Sequence, residues 1–131
     1  MGQLQWLNVS ANSLEWFDYA FIPHSLEWLD ISYNDIGELG NFYHLQNFNL
    51  HTLEAGHNRI TSIDDSALPA KRLQFVQLQK NSISRVETHT FAELPYLNSV
   101  DLRNNQIKGL SKESLRKAIQ GKNVFFKSHA I

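Results

Sequence analysis

Apolar and polar residues recur along this chain in a fixed phrase of eleven positions. The phrase reads apolar at positions one, four, six and eleven, with Asn at position nine. It occurs as LQWLNVSANSL from Leu4, LEWLDISYNDI from Leu26, LHTLEAGHNRI from Leu50, LQFVQLQKNSI from Leu73 and LNSVDLRNNQI from Leu97. The asparagines are Asn12, Asn34, Asn58, Asn81 and Asn105, spaced by 22, 24, 23 and 24 residues. Within each phrase the residues around positions four and six alternate between apolar and polar, which is the period of a β-strand. Each phrase therefore predicts a short strand.

Five rows with L-x-x-L-x-L-x-x-N-x-L in register identify the leucine-rich repeat, and the resemblance covers nearly the whole chain. The fold class it implies is an α/β repeat, a solenoid with a concave parallel β-sheet and an irregular or short-helix convex side. In that fold the apolar positions point inward. The resemblance also implies that the side-chain amides of Asn12, Asn34, Asn58, Asn81 and Asn105 form a buried ladder with the backbone of neighbouring turns. The domain is expected to be single, 1–131, with repeats at 4–25, 26–49, 50–72, 73–96 and 97–120. A degraded sixth is expected over 121–131: Val124, Phe126 and Ile131 each fall 24 residues after an apolar position of row five, while Gly121 and His129 depart from the pattern.

The convex halves are less regular. Row four continues with Val86, Phe91, Leu94 and Leu97 as its inward set, in the manner of repeats whose Phe residues pack into a spine. In row five, Ser111 is expected to cap a helix with Leu115, Ala118 and Ile119 on one face. Rows one and two carry extra aromatics, Phe17, Tyr19, Phe21, Phe42, Tyr43 and Phe48, which are expected to form a convex-side core.

Composition narrows the function classes. The 131 residues carry 12 Lys+Arg and 13 Asp+Glu, a net charge of −1, which gives no sign of a nucleic-acid surface. There is no cysteine, so disulfides, a thiol nucleophile and sulfur-ligated zinc are excluded. No apolar run has the length of a membrane span, and MGQLQWLNVS does not read as a secretory leader. The six histidines, at 24, 44, 51, 57, 89 and 129, show no ligand spacing, and no nucleophile elbow or phosphate loop occurs. No enzyme, metal or cofactor is expected. Binding is expected on the concave face instead.

The outward columns of the strands can be read directly. Position three presents Trp6, Trp28 and Phe75 as an apolar stripe. Position five presents Asp30, Glu54, Gln77 and Asp101. Tyr33, His57 and Arg103 complete the candidate ligand-binding set. A protein partner with basic and apolar groups would suit it. Asn8-Val9-Ser10 is an N-glycosylation sequon at Asn8 on the same face.

The stretches LEWLDISYNDIGELGN, LEAGHNRITSID and FAELPYLNSVDLRNNQIKGLSKESLR resemble, over residues 4–116, the membrane-proximal ectodomain repeats of insect Toll-family receptors. That resemblance implies a place on the extracellular side of the plasma membrane and a role in innate immune or developmental signalling. It implies a protein ligand of the cystine-knot cytokine type, and no cofactor. The alternative is an intracellular leucine-rich repeat scaffold or regulator. After Arg116 the likeness fails, since KAIQGKNVFFKSHAI does not enter the cysteine-rich cap of that family. The expectation is a piece of a receptor without caps, transmembrane segment or signalling domain, with no membrane contact of its own. Its open ends would favour self-association.

Overall fold

The computed structural model describes residues 3–41, 47–119 and 123–125. Its principal sheet holds six parallel strands in the order β1 (Trp6–Asn8), β3 (Trp28–Asp30), β5 (Thr52–Glu54), β7 (Phe75–Gln77), β9 (Ser99–Asp101) and β10 (Asn123–Phe125). The register follows the rows: Leu7, Leu29, Leu53, Val76, Val100 and Val124 are successive Cα partners. Each strand is only three residues long, because the Asn-containing bend turns the chain away after it. The chain is thus a solenoid of stacked coils with one continuous sheet. Gly121, Phe126, His129 and Ile131 of the expected sixth row lie outside the described residues, as do Phe42, Tyr43 and His44.

The interior is a stack of equivalent side chains. Leu29, Leu53, Val76 and Val100 at position four are wholly buried, and so are Ile31, Ala55 and Leu78 at position six. Leu26, Leu50, Leu73 and Leu97 close the core behind them. Each buried Leu, Ile or Val contributes about 1.5–3 kcal/mol of apolar burial, and each touches mainly the coils before and after its own. Row one, at the edge, has Leu7, Val9 and Leu14 only partly buried.

The asparagine side chains tie the coils together. Asn58 Oδ1 accepts from Ile36 N–H in the preceding row (3.0 Å), and its Nδ2 donates to Ala55, Gly56 and Ile31 carbonyls. Asn34 serves Asn12 N and Leu14 N in the same way. Asn81 serves Ile60 N, and Asn105 serves Ile83 N. Asn34, Asn58 and Asn81 are buried, while Asn12 is exposed and donates only within its own bend. Every polar atom of a buried amide is thereby used, which is what permits its burial.

Immediately before each of these asparagines the backbone turns left-handed. Ala11, Tyr33, His57, Lys80 and Asn104 all have φ between 55° and 60°. The cost of that conformation in non-glycine residues is offset by inter-coil bonds, such as His57 N–H to Gln79 O (2.9 Å) and Lys80 N–H to Arg103 O (2.9 Å).

Two further parallel pairs run along the flank, β2 (Trp16–Asp18) with β4 (Glu38–Gly40), and β6 (Ser62–Ile63) with β8 (Arg85–Val86). The convex side carries a 3-10 turn, Tyr19–Phe21, and the helices α1 (Thr88–Ala92) and α2 (Gly109–Ala118). Two expectations are corrected here. Ser111 is not a cap: α2 begins at Gly109 behind an extended Lys108, so Ser111 lies inside the helix. Phe21 is not core: it is 61% exposed and packs only edgewise on Phe17 and against Trp16. Phe17, Tyr19 and Phe48 are buried. By the 23-residue offset of rows three and four, the Phe91 position is held in row three by the buried Leu68, and the carbonyl of its neighbour Ala67 accepts a hydrogen bond from the buried Tyr19 hydroxyl (2.5 Å).

Candidate functional site on the concave sheet

The in-register sheet converts each outward position into a column running across the coils. In column three, Trp6 and Trp28 stack with ring centroids 4.7 Å apart and planes 9° from parallel. Trp6 is 56% exposed, and Phe75, two strands beyond Trp28, is 39% exposed. In column eight, Tyr33 and His57 stack at 4.1 Å and 14°. Both residues have left-handed backbone, and Tyr33 is 57% exposed while His57 is half-buried. Such stacks add about 0.5–1.5 kcal/mol beyond area burial and hold flat apolar surface toward solvent.

Column five lies between these two. Asn8, Asp30 and Asp101 each accept the N–H two residues on, from Ser10, Ser32 and Arg103, so each side chain sets the bend at the end of its strand. Asp30 also accepts from Ser32 Oγ. Glu54 and Gln77 are one carbon longer and make no such bend bond. Burial raises the Glu54 carboxyl above its usual range, and the neighbouring Asp30 charge adds to this. Among the described residues neither Asp30 nor Glu54 has a cationic partner.

Asp101 and Arg103 behave differently from the rest of the expected set. Asp101 is buried and held by Arg103 through two hydrogen bonds, Nε to Oδ1 (2.9 Å) and Nη2 to Oδ2 (2.6 Å). The guanidinium also lies 5.8 Å from the Phe125 ring centroid. Their charges cancel, so the free acidic patch is confined to rows two and three.

His51 faces Glu27 at 3.8 Å, apart from the His57 stack. One cluster had no counterpart in the sequence pattern. On the other side of the coils, exposed Asp65, Glu87 and His89 bring ligand-type atoms within 4.8 Å of one another. His89 Nε2 lies 3.1 Å from Asp65 Oδ2 and 3.5 Å from Glu87 Oε2, and Thr90 Oγ1 donates to Asp65 Oδ1. These atoms satisfy one another, forming an ion-pair clip between coils. Asp65 and His89 are 24 residues apart, one more than the 23-residue offset of these two rows, so the repeat register does not pair them.

The comparisons agree with this architecture. A leucine rich repeat family model matches residues 48–107 and 71–118, and a second one matches 25–47. The chain belongs to the leucine-rich repeat family. It is also 45% identical over 116 residues to Toll-like receptor 7 of Drosophila melanogaster, covering 88% of this chain and 8% of that protein. The chain thus spans a small part of the length of the relative it matches. Its repeats resemble an insect Toll-family ectodomain. Among the described residues no helix is long and apolar enough to cross a membrane.

Proposed function

We propose that this solenoid is a protein-recognition segment of a Toll-like receptor ectodomain and binds through its concave sheet. One observation carries the reading. Two aromatic stacks, Trp6–Trp28 and Tyr33–His57, face solvent on either side of Asp30 and Glu54, which have no cationic partner among the described residues. Exposed aromatics beside unpaired charge form the kind of surface on which binding energy concentrates. The partner is a protein with basic and apolar groups, in the parent receptor a secreted ligand of the cystine-knot cytokine type. The segment lies on the extracellular side of the plasma membrane, and its role is recognition leading to immune or developmental signalling, without catalysis. Strand β10 opens the sixth row of one continuous domain.

Similarity to Toll-like receptor 7 supports the receptor assignment. The exposed Asn8 of the sequon suits an extracellular setting, and a glycan there would shield Trp6 and leave the surface from Trp28 onward for contact. In the full-length parent, Trp28→Ala and Asp30→Ala should each weaken ligand binding by about tenfold, as central interface residues do. Unchanged affinity in both variants overturns the concave-face reading.

A further inference from the structure

The aromatic column is interrupted at one place. Trp28, Thr52 and Phe75 are successive Cα partners across β3, β5 and β7, so a small side chain stands between two rings. The Trp6–Trp28 centroid separation of 4.7 Å equals the spacing of adjacent strands, about 4.8 Å, so this stack runs along the column. One face of Trp28 is covered by Trp6, and the other is turned toward Thr52. Phe75 stands two strand spacings from Trp28, about 9.6 Å. A planar group midway would lie about 4.8 Å from each ring, inside the range of about 6 Å for a cation–π contact.

The same notch is edged by charge. Glu54 is two residues beyond Thr52 on the same strand and so on the same face, and Asp30 is its Cα partner on β3. Neither carboxylate has an ion pair among the described residues, whereas Asp101 in the same column is matched by Arg103. Burial and Asp30 hold Glu54 above its ordinary pKa, which a bound cation would reverse. A planar cation on an apolar stem fits both walls and both carboxylates. Arginine has that shape, while the lysine ammonium is a point charge that neither stacks nor forks.

We infer that Thr52 is the floor of a slot for one arginine side chain of the protein partner, its guanidinium between Trp28 and Phe75 and hydrogen-bonded to Glu54 and Asp30. This rests on the concave-face reading and narrows it to one residue type at one position.

The test is a selection of random displayed peptides on the whole chain, followed by affinity measurement on variants. Binders that lose affinity with Trp28→Ala uphold the concave face. Among them, the slot requires an arginine at a constant position. Exchanging it for citrulline, which keeps the shape but not the charge, should weaken binding at least about tenfold. The exchange should have little effect on the chain carrying Asp30→Asn and Glu54→Gln. Thr52→Trp, which fills the notch from a half-buried position on the outward face of β5, should abolish the arginine preference. Trp28-dependent binders that lack arginine, or that tolerate citrulline, overturn the slot and leave the concave face standing. An absence of any Trp28-dependent binder overturns both.

Discussion

The carboxamide of Gln79 lies directly across Gly56, one coil away. A Cβ placed on Gly56 would stand 2.7 Å from Gln79 Nε2 and 3.1 Å from the Gln79 carbonyl oxygen. The carbonyl cannot retreat freely, because it accepts the His57 N–H at 2.9 Å. Gly56→Ala should therefore push the Gln79 side chain off the sheet and strain the His57 bond, costing about 1–2 kcal/mol. In a Gln79→Ser background the side-chain clash is gone and only the carbonyl contact remains, so the same substitution should cost clearly less. Urea denaturation of the four proteins of this cycle measures the coupling, and additive costs would show that the contact carries no energy.

The asparagine ladder makes a graded prediction. Asn58→Ala leaves the buried Ile36 N–H without an acceptor and removes donors from three carbonyls. An orphaned buried donor costs about 1–3 kcal/mol, and the loss here should lie at the upper end. Asn12→Ala removes only bonds to Val9 and Ser10 carbonyls in an exposed bend, and should cost below about 1 kcal/mol. Equal effects in a denaturant titration would mean that burial does not govern the ladder.

Much of this was legible in the sequence, and the reason is repetition. Leu29, Leu53, Val76 and Val100 face one another across strands, so one inward position is stated several times and chance is averaged out. The outward columns follow from that register, which is why Trp6, Trp28, Phe75, Asp30 and Glu54 could be placed together. The features that were missed depend on residues without a shared type. The left-handed position is Ala11, Tyr33, His57, Lys80 and Asn104 in turn, and no residue preference betrays it. The Asp101–Arg103 pair neutralises part of an apparent acidic column, because two neighbours two residues apart happen to reach one another. Phe21 reads as core by hydrophobicity, yet the 3-10 turn carries it outward. The Asp65–His89 clip sits in the irregular halves of the rows, where spacing varies and pairing cannot be counted off.

Lys80 offers a direct measure of the left-handed backbone. Its φ is 56°, its side chain is exposed, and it takes no part in the aromatic stacks. Lys80→Gly removes the Cβ clash that disfavours this region, and the gain is partly offset by the greater freedom of glycine in the unfolded chain. The net effect should be a stabilisation of about 0.5 kcal/mol. Lys80→Val places a β-branched residue where φ is positive and should destabilise by about 1–2 kcal/mol. Both are read from thermal or urea unfolding. A Val variant as stable as Gly would show that the bend relaxes to negative φ.

The Asp65–His89 clip should appear as a pH dependence with a defined sign. The hydrogen bond to Asp65 raises the His89 pKa above its ordinary 6.5. For Asp65, desolvation pulls upward, but the hydrogen bonds from His89 and Thr90 outweigh it and leave the carboxyl below its ordinary 3.8. The histidine contribution is complete below pH 6.5 and is lost as pH rises through the raised value. The aspartate contribution is complete above pH 3.8 and is lost as pH falls through the lowered one. The clip is therefore strongest between these limits. An NMR titration of the His89 ring should give a pKa above 6.5 that falls when Asp65→Asn removes the charge. Because both groups are exposed, about 1 M salt, where the Debye length is about 3 Å, should lower it as well. A His89 titration indifferent to Asp65→Asn would show that the two side chains do not meet in solution.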